Sequence, residues 1–159
     1  MPVELALLPF IESQFDPYAQ SSTGASGIWQ FILSTAREQK LKKNWWYDGR
    51  RDIVASTDAA FNYLTKLYSK YDDWLLAIAA YNAGPNRILK EIKKNKDKGL
   101  PTDFWSLKLP RETKAYVPKL LALLEVIKSP EKFSVVIPNL PNRPYFQLVT
   151  LPSQVDLMQ

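Results

Sequence analysis

Near the start of the chain Leu5, Leu8, Ile11 and Phe15 recur at helical spacing, which predicts a helix over residues 3–15. Glu12 lies four residues after Leu8 and three before Phe15, so a carboxylate sits on the face that the pattern reserves for hydrocarbon. A charge turned toward a core is costly unless it is paired or employed. Pro9 lies inside the segment, where a proline deletes one helical hydrogen bond and bends the axis. The stretch DPYAQSSTGASG (16–27) is dense in turn formers and reads as a loop. Residues 28–39 then read as a short helix opening on Trp29 and Gln30.

The segment NWWYDGRRD (44–52) is a second loop, and Asp52 is placed to cap a long helix over 53–71 that carries Ile53, Ala60, Leu64 and Leu67. WLLAIAAYNAG (74–84) is nearly all apolar and stops at Gly84, as expected of the buried centre of a helical domain. A basic helix over 85–96, a loop over 97–110 and a strong helix over 111–130, ended by Pro130, complete the pattern. Beyond it the texture changes: Pro138, Pro141, Pro144 and Pro152 are spaced among β-branched and aromatic residues, which predicts an extended tail with one or two short strands. The reading is a mainly α domain over 1–130 and a separate tail over 131–159, without internal repeats.

Composition narrows the chemistry more than the fold. Hydrophobic residues make up 46% and charged residues 23%, ordinary values for a folded domain, but 5 Trp and 8 Tyr supply more planar surface than such a core requires. Clefts for sugars or peptides use surface of that kind. The net charge of +5 favours anionic partners, whether nucleic acid, acidic lipid or an acidic wall polymer. The basic runs KLKKNWW (40–46) and KEIKKNKDKG (90–99) read first as solvated helix ends or loops. With no cysteine and no histidine, disulfides, thiol chemistry, imidazole catalysis and His-ligated metals are excluded, and no metal or cofactor is expected. No run approaches the roughly 20 apolar residues of a membrane span. MPVELALLPF lacks the basic start and cleavage site of a signal peptide, so the chain reads as a fragment whose targeting segment lay upstream.

Chemistry must therefore come from carboxylates, hydroxyls, amides or aromatics. A carboxylate on an apolar face loses hydration, which raises its pKa and keeps it protonated near neutral pH. A protonated carboxylic acid is the general acid of glycosidic bond cleavage. From periodicity alone, Glu12 serves equally well as a cap or as the partner of a Lys or Arg. GASGIWQ (24–30) sets small residues beside an aromatic and an amide, which suits close approach of a polymer or an ordinary glycine turn. AAYNAG (79–84) puts Tyr81 and Asn82 at the end of the buried helix, where their polar ends need partners. ETKAYV (112–117) brings Glu112 and Tyr116 onto one helix face at i and i+4.

In that order, E-S, G-A-S-G-I-W-Q, A-Y-N-A-G and E-T-K-A-Y-V resemble the bacterial soluble lytic transglycosylase family, which has a goose-type lysozyme-like fold. YDGRRDIVAST (47–57) and PTDFWSLKLPRETKAYVPKLLAL (101–123) are similar to its membrane-bound lytic murein transglycosylase D branch, and the resemblance covers about residues 3–130. It implies that Glu12 is the sole catalytic acid and base, acting on the bond between N-acetylmuramic acid and N-acetylglucosamine and leaving 1,6-anhydromuramyl ends, with the substrate's N-acetyl group in place of a second carboxylate. A two-carboxylate glycosidase needs its partner within about 5–10 Å. Asp16 has already entered the loop, while Asp48 and Asp52 stay open as partners through tertiary contact.

The resemblance further implies that Ser13, Ser26, Gly27, Trp29 and Gln30 line the site, with Trp29, where many relatives carry Met, offering a flat surface that stacks on a sugar or reshapes the subsite. Tyr81 and Asn82 map to the A-Y-N motif, Tyr116 to a tyrosine that orients the catalytic carboxylate, and Glu112 to a residue supporting the cleft. The implied partner is the peptidoglycan glycan strand, in the bacterial envelope or periplasm. Outer-membrane anchoring would belong to the full-length protein, and the chain itself is expected to be a monomer touching neither membrane nor nucleic acid. YFQLVTLPSQVDL in the tail resembles the strand that leads toward LysM repeats, which the chain lacks. Two alternatives stand beside this: a hydrolase of the goose-lysozyme kind, and a non-catalytic wall-binding module.

Overall fold

The nearly all-apolar run at 74–83 lies at the centre of the fold. In this computed structural model, which describes residues 1–139, 141, 143, 144 and 149, six α-helices follow one another among the described residues. They are α1 (Leu8–Ser13), α2 (Leu33–Glu38), α3 (Ile53–Tyr71), α4 (Trp74–Ala83), α5 (Pro85–Lys96) and α6 (Arg111–Lys128), with 3-10 turns at Val3–Leu7, Phe104–Ser106 and Pro130–Phe133. Five successive α4 residues, Leu76 to Ala80, are buried, so this helix needs neighbours all round. Helices α3, α5 and α6 supply them, and α1 packs on α6. The shared core holds Leu64 and Leu67 of α3, Ile88 of α5, and Val117 and Leu120 of α6.

The ends of these helices are set by local chemistry. Asp52 caps α3 by accepting the Ala55 N–H at 2.9 Å, and Asp73 caps α4 by accepting those of Leu75 and Leu76 at 2.7 and 3.2 Å. Between them Asp72 turns the chain in the left-handed region, at φ 50°. At the far end of α4, Gly84 (φ 86°) breaks the helix and Pro85 opens α5 at a position whose N–H would have no helical partner.

Two expected elements differ. The helix over 3–15 is a 3-10 turn followed by the short α1, and Pro9 stands in the first turn of α1, where it starts the helix instead of bending it. Helix α1 stops at Ser13 because Gln14 and Phe15 are both left-handed, at φ 54° and 63°. The helix over 28–39 is reduced to α2. Residues ahead of it are held by isolated antiparallel pairings, Gln20 with Ser26 and Ser26 with Phe31, and Gln30 is itself left-handed at φ 49°. After Pro130–Phe133, residues 135–139 carry no regular structure. The strands expected farther along fall mostly on 140, 142, 145–148 and 150–159, outside the described residues.

Candidate active site

Glu12 lies one residue from the end of α1, where the chain reverses. The Gln14 N–H donates to the Phe10 carbonyl at 3.0 Å and the Phe15 N–H to that of Pro9 at 3.2 Å, which pins the reversal. Ser13 Oγ faces the carbonyls of Pro9 at 3.1 Å and of Ile28 at 3.0 Å, and so ties α1 to the loop ahead of α2. Half-buried, Glu12 opens into a cleft of about 490 Å³ that Gln30, Tyr81, Asn82 and Glu112 also line.

Burial raises the Glu12 pKa from 4.5 to about 7, because the charged form loses hydration. The Tyr116 hydroxyl, which donates to Glu12 Oε1, pulls the value down, and the negative charge of Glu112 adds to the rise. Tyr116 is itself buried, and burial together with the nearby carboxylate holds its own pKa well above 10, so it acts only as a donor here. An acid with these surroundings is partly protonated at neutral pH and ionises readily once its proton is given up. That is the property a general acid that later turns base requires.

Other predicted residues hold the walls. The Tyr81 hydroxyl donates to the Trp29 carbonyl at 2.8 Å and fastens α4 to the loop. Asn82 accepts from Thr113 Oγ1 at 2.8 Å and donates to Glu112 Oε1 at 3.3 Å, so one amide joins α4 to α6 beside the cleft. Gln30 donates from Nε2 to the carbonyls of Gly27 at 2.9 Å and Ala19 at 3.3 Å while still lining the cleft.

Three expected contact residues face inward. Trp29 is 2% exposed, its indole N–H donates to Thr57 Oγ1 at 2.9 Å and its ring packs edge-on against Phe61, so it offers no face for a sugar to stack on. Ser26 is fully buried and accepts from Arg51 Nε at 3.2 Å. Gly27 sits in the left-handed region, at φ 81°, with its missing Cβ aimed at the Arg50 carbonyl 1.7 Å away, so the glycine is required by packing. Arg50, 6% exposed, grips Asp48 at 2.6 Å and donates to the carbonyls of Gly24 at 2.8 Å and Phe31 at 3.2 Å. The glycine-rich stretch thus shapes the wall from behind.

The carboxylates considered as partners are occupied elsewhere. Asp16 accepts the Tyr18 N–H at 2.8 Å, Asp48 pairs with Arg50 and Lys43, and Asp52 caps α3 and takes the Tyr47 hydroxyl at 2.9 Å. The cleft also holds residues that sequence reasoning passed over, among them Glu38 at the end of α2 and Tyr63 of α3. Their spacing carries no local signal, and only the tertiary fold brings them to the cleft that Glu12 lines. Among the described residues no cluster of acidic side chains is arranged for a metal, and no helix is long and apolar enough to cross a membrane.

Residues 1–103 match the family model of the transglycosylase SLT domain. The chain belongs to that family. Its mainly helical, lysozyme-like fold is the SLT one. Over 99% of its length it is 51% identical to the membrane-bound lytic murein transglycosylase D of Escherichia coli (strain K12), covering 35% of that protein. A protein of Alteromonas sp. (strain M-1) named for tributyltin chloride resistance is 39% identical over 89% of the chain and 68% of its own length. The membrane-bound lytic murein transglycosylase F of Desulfosudis oleivorans is 33% identical over 64% of the chain and 22% of its own length. This SLT chain therefore spans about a third of the first of these relatives, and the SLT model ends before α6, the helix that brings Tyr116 to Glu12.

Proposed function

We propose that this SLT domain cleaves peptidoglycan glycan strands as a lytic transglycosylase, with Glu12 as its single acid and base. The observation that carries the reading is the half-buried Glu12 in its cleft, raised to about 7 by burial and oriented by Tyr116. Membership of the SLT family and the murein transglycosylase relatives support the same substrate. Protonated Glu12 gives its proton to the glycosidic oxygen between N-acetylmuramic acid and N-acetylglucosamine, and the C1–O bond breaks with the glucosamine leaving as its 4-hydroxyl. The carbonyl oxygen of the muramic N-acetyl group closes onto C1 and carries the positive charge as an oxazolinium. Glu12, now a carboxylate, takes the proton of the C6 hydroxyl as that oxygen attacks C1 and reopens the ring. The acid is restored, a 1,6-anhydro end is left, and no water is consumed.

A single carboxylate suffices on this route because the substrate supplies the second nucleophile, which fits the engagement of Asp16, Asp48 and Asp52 elsewhere. Tyr81, Asn82, Gln30 and Glu112 form the walls that position the strand, and Ser13 holds the end of α1 to the cleft loop. Site and substrate together put the working protein in the bacterial envelope. Digestion of purified peptidoglycan followed by product mass analysis is the test. Anhydro ends are expected; reducing ends alone would make the domain a hydrolase that activates water, and no released fragments would leave only a binding module.

A further inference from the structure

The most conspicuous surface outside the cleft is the loop before α3. Trp45 is 89% exposed and Trp46 90%, yet the backbone that displays them is closely fixed. Asn44 accepts the N–H groups of Trp46 and Tyr47 on its side chain, both at 2.8 Å, and its own N–H donates to the Tyr47 carbonyl at 2.8 Å. Lys43 pairs with Asp48 across the turn, and the Gly49 N–H donates to the Lys42 carbonyl at 2.8 Å. Two indoles, each worth roughly 150–250 Å² of buried surface when covered, are thus held out in water on a rigid turn. The fold gains nothing from them there.

The surface around them is concave. Trp45 and Trp46 line a groove of about 550 Å³ with Tyr18, Gln20, Lys43 and Arg51, and Trp45 also walls a second hollow of about 450 Å³ against α2. Tyr18 and Gln20 belong to the same loop that sends Ser21 and Thr23 into the catalytic cleft, so groove and cleft share one loop as a common wall.

We infer that this groove is a second binding site for a polysaccharide strand with carboxylate-bearing substituents, outside the catalytic cleft. The inference rests on the peptidoglycan reading of the cleft. Planar indole faces cover the C–H face of a pyranose ring, while amide, hydroxyl and charged groups between them take the sugar hydroxyls. Lys43, Arg50 and Arg51 outnumber Asp48 and Asp52 in the groove and leave it an excess of positive charge for the anionic substituents. An anionic bilayer suits the site less well: the indoles share their groove with the Gln20 amide and the carboxylates of Asp48 and Asp52, which form no continuous apolar face to enter the acyl region.

The test compares sedimentation with purified sacculi for Glu12→Gln and for Glu12→Gln carrying Trp45→Ala and Trp46→Ala. Binding should weaken about tenfold or more on losing both indoles, and Trp45→Phe with Trp46→Phe, which keeps two rings, should restore most of it. Equal binding of the alanine variant, no sacculus binding by Glu12→Gln, or an indole-dependent affinity for phosphatidylglycerol vesicles in place of sacculi would each overturn the proposal. Product analysis of the otherwise unaltered domain separates the two readings. Absence of anhydro ends while binding still depends on the indoles removes the catalytic assignment and leaves the strand site standing.

Discussion

Replacing Glu12 with Gln should stabilise the folded domain, by an amount set by pH. The Glu12 pKa is about 7 when folded and ordinarily 4.5, so between those values the folded chain holds a proton that the unfolded chain has released. Stability is full below about 4.5 and falls as pH rises toward 7, because the folded state binds more protons than the unfolded one. A rise from 4.5 to about 7, at about 1.4 kcal/mol per pH unit, amounts to a loss of about 3 kcal/mol, complete a little above pH 7. Gln keeps the volume and an oxygen that accepts from Tyr116, and it is neutral at every pH. Urea unfolding from about pH 4 to about pH 8.5 should show the two proteins within about 1 kcal/mol at the acid end and the variant ahead by about 3 kcal/mol at the alkaline end, with unchanged m-values. A difference flat in pH, or one favouring Glu at high pH, would refute the claim that burial strains the charged form. The same variant should release no fragments from peptidoglycan, so stability and activity would move in opposite directions at one residue.

On the proposed route Glu12 must carry its proton to start the reaction, so kcat/KM should decline as pH rises through about 7. Tyr116→Phe removes the hydrogen bond that holds the Glu12 pKa down, so that decline should move to higher pH while kcat drops; a shift to lower pH in the pH–rate profile would contradict the assigned direction. Gly27→Ala drives a Cβ to 1.7 Å from the Arg50 carbonyl in a left-handed backbone and should cost about 3 kcal/mol or more by urea denaturation. Thr57→Val deprives the buried Trp29 indole N–H of its acceptor and should cost about 1–3 kcal/mol with KM unchanged, whereas a sugar-stacking Trp29 would show a change in KM. Arg50 holds the Asp48 pKa down to about 2, so the stability of that pair should be intact above about pH 4 and lost as pH falls toward 2; Asp48→Asn should remove this acid-side slope.

The helices that were legible in the sequence are those whose ends are written in neighbouring residues. Asp52, Asp73 and the Gly84–Pro85 pair each satisfy or break backbone groups a few positions away, so that α3, α4 and α5 start, and α4 stops, where those residues stand. The uniform apolarity of α4 likewise announced the centre of the core. Residues 24–31 were not legible in the same way. Trp29 and Gln30 look like the first turn of a helix, but Gly27 must meet the Arg50 carbonyl and Gln30 must turn left-handed, and neither contact leaves a mark at helical period. Glu12 stood out as a misplaced charge. That Tyr116 reaches it from 104 residues away, while Glu38 and Tyr63 share its cleft, is decided by helix packing alone.

The carbonyls of the 24–31 loop are held by side chains from elsewhere: Ile28 by Ser13, Trp29 by Tyr81, and Gly24 and Phe31 by Arg50. Its shape is thus specified by three distant residues as much as by its own sequence. For anyone exchanging cleft walls among SLT domains, the unit of transplantation is not the contiguous octapeptide but a scattered set, loop and clamps together. A graft that carries only the visible stretch inherits its composition and forfeits its form.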